Sequence, residues 1–600
     1  MYFRQKAYNE IFFAFVLTGI FILFAFVFID AKGGDYTYFL PKLLDTHFFY
    51  KVNGFKLQEY TASYCAGSFV FANPQSISIS IPQLLLFFFN PLDSIRLTFV
   101  FSSLIGFFGI YFVGLKLGLE KISAIFSAIV FSLCGFLLVR MVMGHLTFYN
   151  IVFAPLIAYY VIRASDYFSV KSFFSSFIFI AIASLIVSMT IYSGAAAILP
   201  QIIFIVVFLS MIYSIKNKIF LPQTLVLIFV LLLSALISLP KLEASISLLN
   251  NFSRDFYQIG GFSNINEIIK YLFSAFFWFP DLSSINSVVA NKRFLVGFTE
   301  SYYSLSPAYL LLLFLLFRKT VHLKLYEIIK NNKTISILSI SSVLLVVFVH
   351  YYSSSWVNFL QNIPVINQSS NMFRWNYVLI PILSIFAGMV LNIWSQDKRK
   401  VFFLVIIFTV LSSSFQYYTI KSFQSEMVSY NPKNILRAWE DITFNGAILP
   451  PIKSIGLFEE KQDDGIIKIH HKPQYDKLYI AGISNAMCYE PLFGYRLEKS
   501  NMWKLKPDSI YLENSKNELN FNNPACYVYP EENECRVGDR FKSSQRDLLK
   551  RLASRQPIYF NFSRLREWSN IISLYTIGFV IIFFIIGFII LTYKKYGKNN

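Results

Sequence analysis

The chain has 600 residues, of which 55% are hydrophobic and only 14% are charged. Soluble proteins usually carry roughly a quarter charged residues, so this composition excludes a disordered chain, a coiled coil and a single soluble enzyme. The net charge is +19, which in a soluble protein indicates nucleic-acid binding. In a chain this apolar, basic residues instead collect in cytoplasmic loops and set the topology, so we expect no nucleic-acid partner.

Long stretches without charged residues predict the membrane spans, because a bilayer core about 30 Å thick needs roughly 20 apolar residues per helix. The uncharged run from Ser172 to Ile215 is too long for one crossing, and Ser193, Gly194 and Pro200 mark the turn that divides it. The sequence therefore predicts a polytopic α-helical membrane protein with about twelve spans. These lie near 11–29, 94–115, 122–140, 147–162, 173–193, 197–215, 220–239, 304–317, 334–352, 375–394, 401–420 and 570–593.

Basic residues predict the orientation of these spans. They occur before the first span, after the last one and in alternate short loops, and all of them fall on one side of a twelve-span arrangement. Both termini are therefore predicted to be cytoplasmic. The residues concerned are Arg4, Lys6, Lys116, Lys121, Arg163, Lys171, Lys216, Lys218, Arg318, Lys319, Lys324, Lys330, Lys333, Lys398, Arg399, Lys400, Lys594, Lys595 and Lys598.

The same arrangement divides the chain into a membrane module and an exported domain. Residues 421–569 carry more charge, short alternating stretches and turn clusters, which predicts a small mixed α/β extracytoplasmic domain. Residues 1–420 are predicted to form a membrane module of eleven spans, and 570–600 the last span and a cytoplasmic tail. The remaining extracytoplasmic loops are 30–93, 241–303 and 353–374.

Five cysteines allow one or two disulfides. Cys526 and Cys535 flank a turn in the exported domain, so we predict a disulfide between them and an oxidising compartment around them. Cys134 lies within a span and is interpreted as a packing residue. Cys65 and Cys488 pair across domains in one interpretation and remain free thiols in the other.

The first extracytoplasmic loop carries the candidate catalytic acids. Asp30 and Asp35 follow the first span closely, beside Gly33 and Gly34. A carboxylate placed there faces the headgroup region and can take a proton from an acceptor hydroxyl while a lipid phosphate leaves. The alternative interpretation is a solvated acid at a helix end.

Cationic residues at the predicted outer ends of spans are candidates for binding that phosphate. Arg374 interrupts a long uncharged stretch, and Arg140 is flanked by apolar residues. Guanidinium groups bind phosphate bidentately, although an arginine in this position also snorkels to the headgroups. Lys241 and Glu243 are either ligands or an ion pair, and His145 either polarises phosphate or stabilises a turn.

Three short motifs add to these residues. The first is Gly67 followed by the Ala72–Gln75 segment, which contains Asn73 and Gln75. The second is the turn of Gly144 and His145, and the third is Glu300 followed by Tyr302. With an Asp after the first span, these motifs resemble the GT-C superfamily of polytopic glycosyltransferases, and most of all its YfhO-type branch. The resemblance covers the arrangement of spans 1–11 loosely and the motifs locally.

The resemblance implies a glycosyltransferase that moves a sugar from a polyprenyl-phosphate-linked donor to a cell-envelope glycan, lipid or protein. Asp35 would be the catalytic base, with Asp30 as second choice. Arg374, Arg140, His145 and Lys241 would bind the donor phosphate. The substrate-binding residues would be Glu300, Tyr302, Asn73, Gln75 and Glu243.

The sequence also bears on the cofactor, the cellular location and an alternative function. Many GT-C members carry a second acidic residue beside the catalytic base, but Asp35 has no acidic neighbour. The sequence therefore does not define ligands for a divalent metal. We expect an integral protein of a bacterial inner membrane whose active site faces the periplasm or exterior and contacts membrane lipids. A transporter or flippase for a lipid-linked saccharide is the alternative, but that class usually places ionisable residues in mid-membrane.

Overall fold

The architecture is that of a helical membrane protein with a polar C-terminal part. The computed structural model describes residues 18–19, 33–252, 261–262, 264–278, 298–331, 333–351, 353–363, 372–394, 398–425, 430–456, 460–461, 467–468, 479–485 and 505–596. Within these ranges, nine helices are long and apolar enough to cross a membrane. The protein is therefore an integral membrane protein.

The nine spans agree in position with nine of the predicted stretches. They are Pro91–Leu117, Lys121–Met143, Leu146–Ser169, Phe173–Tyr192, Leu199–Asn217, Phe220–Asn251, Met372–Trp394, Arg399–Gln424 and Arg564–Gly587. Ser336–His350 is a shorter apolar helix at the predicted 334–352 span. Ala308–Leu316, at the predicted 304–317 span, has only nine residues. The predicted 11–29 span lies outside the described residues except for 18 and 19.

The remaining helices are shorter and connect or cover the spans. They are Tyr36–Asn53, Ile81–Leu85, Ile265–Phe277, Phe298–Ser301, Lys319–Asn331, Ser354–Gln361, Lys433–Phe444, Ala525–Val528 and Arg546–Ala553, with short 3-10 turns at Ala195–Ala197 and Ser543–Gln545. Two spans open with 3-10 segments, Leu146–Phe153 and Met372–Val378. The last two spans extend as the longer helices Lys398–Ser425 and Arg564–Tyr596.

In the described part of the chain, eight short strands pair into four two-stranded sheets. Tyr60–Thr61 pairs antiparallel with Ser68–Phe69 in the first loop. The other three sheets lie in the C-terminal part. They are Ser454–Gly456 with Ile483–Asn485 (parallel), Glu460–Lys461 with Ile467–Lys468, and Glu518–Asn522 with Arg540–Lys542 (both antiparallel).

Local sequence explains where spans begin and end. Pro91 occupies the first turn of its helix, and the Asn90 side chain accepts a hydrogen bond from the Asp93 backbone N–H at 3.0 Å. The helix ends at Gly118, whose φ of +96° is the left-handed conformation that favours glycine. A polar cap, an early proline and a terminal glycine thus fix this span from both ends.

The Lys121–Met143 span is the central helix of the bundle, because the whole of its apolar window is buried inside the protein. It is built from two helices, Lys121–Ser132 and Gly135–Met143. At the break, the Gly135 backbone N–H donates to the Ser304 carbonyl at 2.7 Å. A Cβ on Gly135 would lie 2.0 Å from the Tyr302 ring, so only glycine admits this close approach.

Buried apolar residues form two clusters. The larger one joins the spans with the Tyr36–Asn53 helix. The smaller one joins residues 60–72 of the first loop, the end of the Phe220–Asn251 helix and residues 452–560. The C-terminal part therefore shares its core with the first loop, and both lie at the same end of the helix bundle.

Candidate functional site

The first loop docks on the turn that follows the central span. The Gly33 and Asp35 backbone N–H groups donate to the carbonyls of Val142 and Met143 at 3.1 and 3.2 Å. The Tyr36 hydroxyl donates to the Met141 carbonyl at 2.6 Å. These bonds hold the start of the Tyr36–Asn53 helix against the end of the central span.

Glycines make this docking close. A Cβ on Gly33 would lie 2.4 Å from the Met143 backbone. Gly144 has a φ of +84°, and a Cβ there would lie 2.7 Å from the Tyr36 backbone nitrogen. The two glycines thus allow the Asp35 and His145 side chains to meet across the contact.

Asp35, His145 and Arg140 form a hydrogen-bonded series. His145 Nε2 lies 3.0 Å from Asp35 Oδ2, and Arg140 Nη1 lies 2.6 Å from His145 Nδ1. Because guanidinium nitrogens only donate, Nδ1 of His145 accepts, and the proton of the neutral ring is assigned to Nε2. His145 then donates to Asp35, which stabilises its ionised form.

Glu300 lies between two arginines. Arg140 donates to its carboxylate through Nη1 and Nη2 at 2.9 and 3.0 Å. Arg374 donates to the same carboxylate through Nε and Nη2, both at 3.0 Å. The Phe148 ring lies 4.5 and 5.0 Å from the two guanidinium carbons. We call Asp35, His145, Arg140, Glu300 and Arg374 the charge cluster.

Exposure increases towards both ends of the charge cluster. The Arg140 side chain is fully buried and that of Asp35 is 45% exposed, while those of Arg374 and Glu300 are 18% and 15% exposed. Burial opposes ionisation of Asp35, but the electrostatic attraction and hydrogen bond of the neighbouring His145, together with Arg140, hold the pKa of Asp35 below its ordinary value. Burial likewise opposes ionisation of Glu300, yet the two arginines hold the pKa of Glu300 well below its usual range.

The charges of the cluster cancel but are separated in space. Two carboxylates face two guanidinium groups, with the negative Asp35 at one end and the positive Arg374 at the other. Such an arrangement can accept a proton at Asp35 and stabilise developing negative charge beside Arg374. Arg140 and Glu300, which lie between these ends, position the groups beside them.

A metal site is not formed by these side chains. The described residues contain no group of three or more His, Cys, Asp or Glu side chains that could hold a metal ion. Asp35 has a histidine and an arginine as neighbours instead of a second carboxylate.

Five of the predicted site residues therefore come together, and others lie elsewhere. Asp30 is outside the described residues. Tyr302 is fully buried and donates to Gln416 Oε1 at 2.7 Å, within the helix packing. Lys241 Nζ donates to the carbonyls of Phe71 and Asn73 at 2.6 and 2.7 Å. These hydrogen bonds from Lys241 hold the first loop against the Phe220–Asn251 helix.

Glu243 also lies outside the charge cluster and connects different parts of the chain. It accepts hydrogen bonds from the Tyr529 and Ser563 hydroxyls at 2.8 and 2.7 Å. Cys526 and Cys535 are bonded, with sulfurs 2.06 Å apart. Cys65 is also disulfide-bonded, and Cys134 is a buried free thiol.

Two further ion pairs, which sequence reasoning missed, fix the C-terminal part to the first loop. Arg566 Nη2 lies 2.8 Å from Glu59 Oε1, and the same guanidinium donates to the Pro240 carbonyl. Arg555 Nε lies 3.4 Å from Asp45 Oδ1, and both side chains are 2% exposed. No local pattern marks such pairs, since their partners lie about 500 residues apart along the chain.

Replacing Gly144 by alanine tests the docking of the first loop. The positive φ and the clash with Tyr36 should together destabilise the protein by about 1–3 kcal/mol and displace Asp35 from His145. Thermal unfolding of the detergent-solubilised protein measures the effect. Gly34→Ala is the matched control, because Gly34 has open space around its Cβ position and should change stability by less than about 0.5 kcal/mol. Equal unfolding temperatures for the two variants would contradict the role of Gly144.

Comparison of the chain with protein-family models, with curated proteins and with solved structures finds no match. Membership of the GT-C superfamily therefore stays a prediction, carried by the short motifs.

Proposed function

We propose that the protein is a membrane glycosyltransferase that moves a sugar from a polyprenyl-phosphate-linked donor to a glycan, lipid or protein acceptor. The observation that supports this most directly is the charge cluster: a partly exposed, ionised Asp35 held by His145, with an Arg–Glu–Arg group behind it. An ion pair that only stabilises an apolar helix bundle does not require a solvent-exposed carboxylate, whereas a catalytic base must be accessible to the substrate.

The proposed reaction uses the two ends of the cluster. The acceptor hydroxyl oxygen bonds to the anomeric carbon of the sugar and passes its proton to Asp35. The bond between that carbon and the phosphate oxygen breaks, and its electron pair leaves with the polyprenyl phosphate. The charge that develops on this phosphate is stabilised beside Arg374, whose guanidinium is partly exposed.

We further propose twelve spans, with both termini cytoplasmic and the charge cluster on the periplasmic or outer face of a bacterial inner membrane. Basic loops converge on the opposite end of the bundle: Lys116 pairs with Asp166 at 2.5 Å, and Lys216 Nζ donates to the Leu117 carbonyl at 2.6 Å. The positive-inside rule assigns that end to the cytoplasm. The Cys526–Cys535 bond supports an oxidising compartment around the C-terminal part.

A reporter enzyme fused after Asn600 tests this topology. We expect a reporter that works only in the cytoplasm to be active, and one that needs an exported, oxidising environment to be inactive. The same pair of reporters inserted after Asn445, in the exposed turn that follows the Lys433–Phe444 helix, should give the opposite result. Activity of the exported reporter after Asn600 would overturn the orientation.

Reconstitution separates the enzyme from the alternative transporter. Proteoliposomes holding the full chain are given polyprenyl phosphate sugars labelled in the sugar, together with envelope extract as acceptor. A transferase moves the label to the acceptor and releases free polyprenyl phosphate. A transporter or flippase leaves the label on the lipid and changes only the leaflet in which it is found. Label that stays on the lipid for every donor tested would exclude the transferase.

A further inference from the structure

A cavity lies between the Tyr36–Asn53 helix and the segment 61–78 of the first loop. It is partly open to solvent. Its walls include no residue of the charge cluster, so it is a separate feature. They consist of Tyr38, Phe39, Lys42, Asp45, Thr46, Thr61, Tyr64, Ser68, Phe69, Val70, Asn73, Gln75, Ser76, Ile77 and Ser78.

The floor of the cavity is polar and fixed in place. Asp45 accepts hydrogen bonds from the side chains of Gln58, Thr61 and Ser63 at 3.0, 2.7 and 2.6 Å. Arg555 of the C-terminal part compensates its charge. Because every one of these groups is held by another, the floor keeps its shape without a ligand.

Gln75 lines this cavity and carries an unmet hydrogen-bond acceptor. Its side chain is only 9% exposed, and its Oε1 atom is buried without a hydrogen-bond partner. The position of Gln75 is fixed, because its backbone N–H donates to Asn73 Oδ1 at 2.9 Å. A buried carbonyl without a donor costs free energy, and a hydroxyl of a bound ligand would satisfy it.

The mouth of the cavity is aromatic and cationic. Lys42 Nζ lies 3.7 Å from the centre of the Tyr38 ring and 6.0 Å from that of Tyr64. Tyr64 is in turn stacked on Tyr479 of the C-terminal part, with ring centres 5.8 Å apart. Partly exposed aromatic rings above a polar floor suit a ligand with an apolar face and several hydroxyl groups. A pyranose has this character.

We infer that this cavity binds a sugar ring of the acceptor, as a saccharide subsite beside the charge cluster. Asp35 is the N-cap of the Tyr36–Asn53 helix, and Tyr38 and Lys42 follow it at spacings of three and four residues, so all three lie on one side of this helix. A saccharide held over Tyr38 and Lys42 would extend along that face towards Asp35. The assignment of this sugar to the acceptor rests on the proposed function, whereas sugar binding in the cavity does not.

Saturation-transfer NMR on the full chain in detergent tests the subsite. The probes are the methyl glycosides of glucose, galactose, mannose, N-acetylglucosamine and glucuronic acid. We expect at least one of them to receive saturation from the protein. Gln75→Leu should weaken its binding about tenfold, the equivalent of one lost hydrogen bond, and Tyr38→Leu should weaken it as well.

Gln223→Leu is the matched control. Gln223 is also buried with an unpartnered Oε1 atom, but it lies in the Phe220–Asn251 span and does not line the cavity. This variant should bind the glycoside as the wild type does, and thermal unfolding confirms that all variants are folded. The subsite is overturned if no glycoside receives saturation, or if Gln75→Leu and Gln223→Leu bind equally well.

Failure of the subsite and failure of the proposed function give different results. Asp35→Asn should keep glycoside binding, because Asp35 does not line the cavity. Glycoside binding without any sugar transfer in proteoliposomes would support the saccharide site in the cavity and refute the proposed enzyme activity. Sugar transfer without binding of any glycoside would refute the subsite and support the proposed enzyme activity.

Discussion

Replacing Asp35 by asparagine should reduce sugar transfer about 100-fold or more, the usual scale for losing a positioned general base. Asparagine keeps an oxygen that accepts the His145 hydrogen bond, but it cannot take a proton at neutral pH. The fold should survive, because the Asp35 side chain is half exposed and makes no capping hydrogen bond to its own helix. The measurement is labelled product formed by membranes that carry equal amounts of each variant.

Asp93→Asn is the matched control for this substitution. Asp93 is also an exposed acid in the first turn of a helix, and it pairs with Arg96 at 3.0 Å outside the charge cluster. Transfer by this variant should equal that of the wild type. Full activity of Asp35→Asn would refute the assignment, and loss of activity in Asp30→Asn alone would move the base to Asp30.

Replacing Glu300 by glutamine should destabilise the protein by about 3–5 kcal/mol. The substitution leaves two arginines, one of them fully buried, without their shared carboxylate, and an uncompensated buried charge is costly. Thermal unfolding in detergent is the measurement. Transfer should fall as well, since the same change frees Arg140 and Arg374 from the geometry that positions them.

Two further variants show whether the effect comes from the unpaired charges. Arg96→Gln removes an arginine from an exposed ion pair and should cost less than about 1 kcal/mol. Adding Arg140→Met to Glu300→Gln should recover part of the lost stability, because it removes the most deeply buried unpaired charge. A Glu300→Gln protein that unfolds at the wild-type temperature would show that the buried pairs contribute nothing.

Hydropathy alone located most of the membrane fold. Spans such as Phe173–Tyr192 and Leu199–Asn217 are long apolar runs separated by a turn of Gly194 and nearby residues, and no tertiary contact is needed to recognise them. The predicted 304–317 span was harder, because its uncharged stretch begins with an extended segment that packs on Gly135 before the Ala308–Leu316 helix starts. Hydropathy counts apolar residues but does not show where the backbone becomes helical.

The candidate site was predictable residue by residue but not as an arrangement. Asp35, Arg140, His145 and Arg374 each stand out as a polar group at the end of an apolar stretch. Glu300 was predicted to bind substrate, and its pairing with both arginines was not predicted. These partners lie 160 and 74 residues away from Glu300, and only the packing of the bundle brings them together.

The pairing of Asp45 with Arg555 and of Glu59 with Arg566 has a consequence for biogenesis. The acids leave the ribosome about 500 residues before their partners, a delay of roughly half a minute to two minutes at ordinary rates of translation. Until then, the helix that follows Asp35 contains a carboxylate that cannot yet be buried with its counter-charge. A nascent or prematurely terminated chain therefore cannot bury Asp45 and Glu59 with their counter-charges until Arg555 and Arg566 have been made.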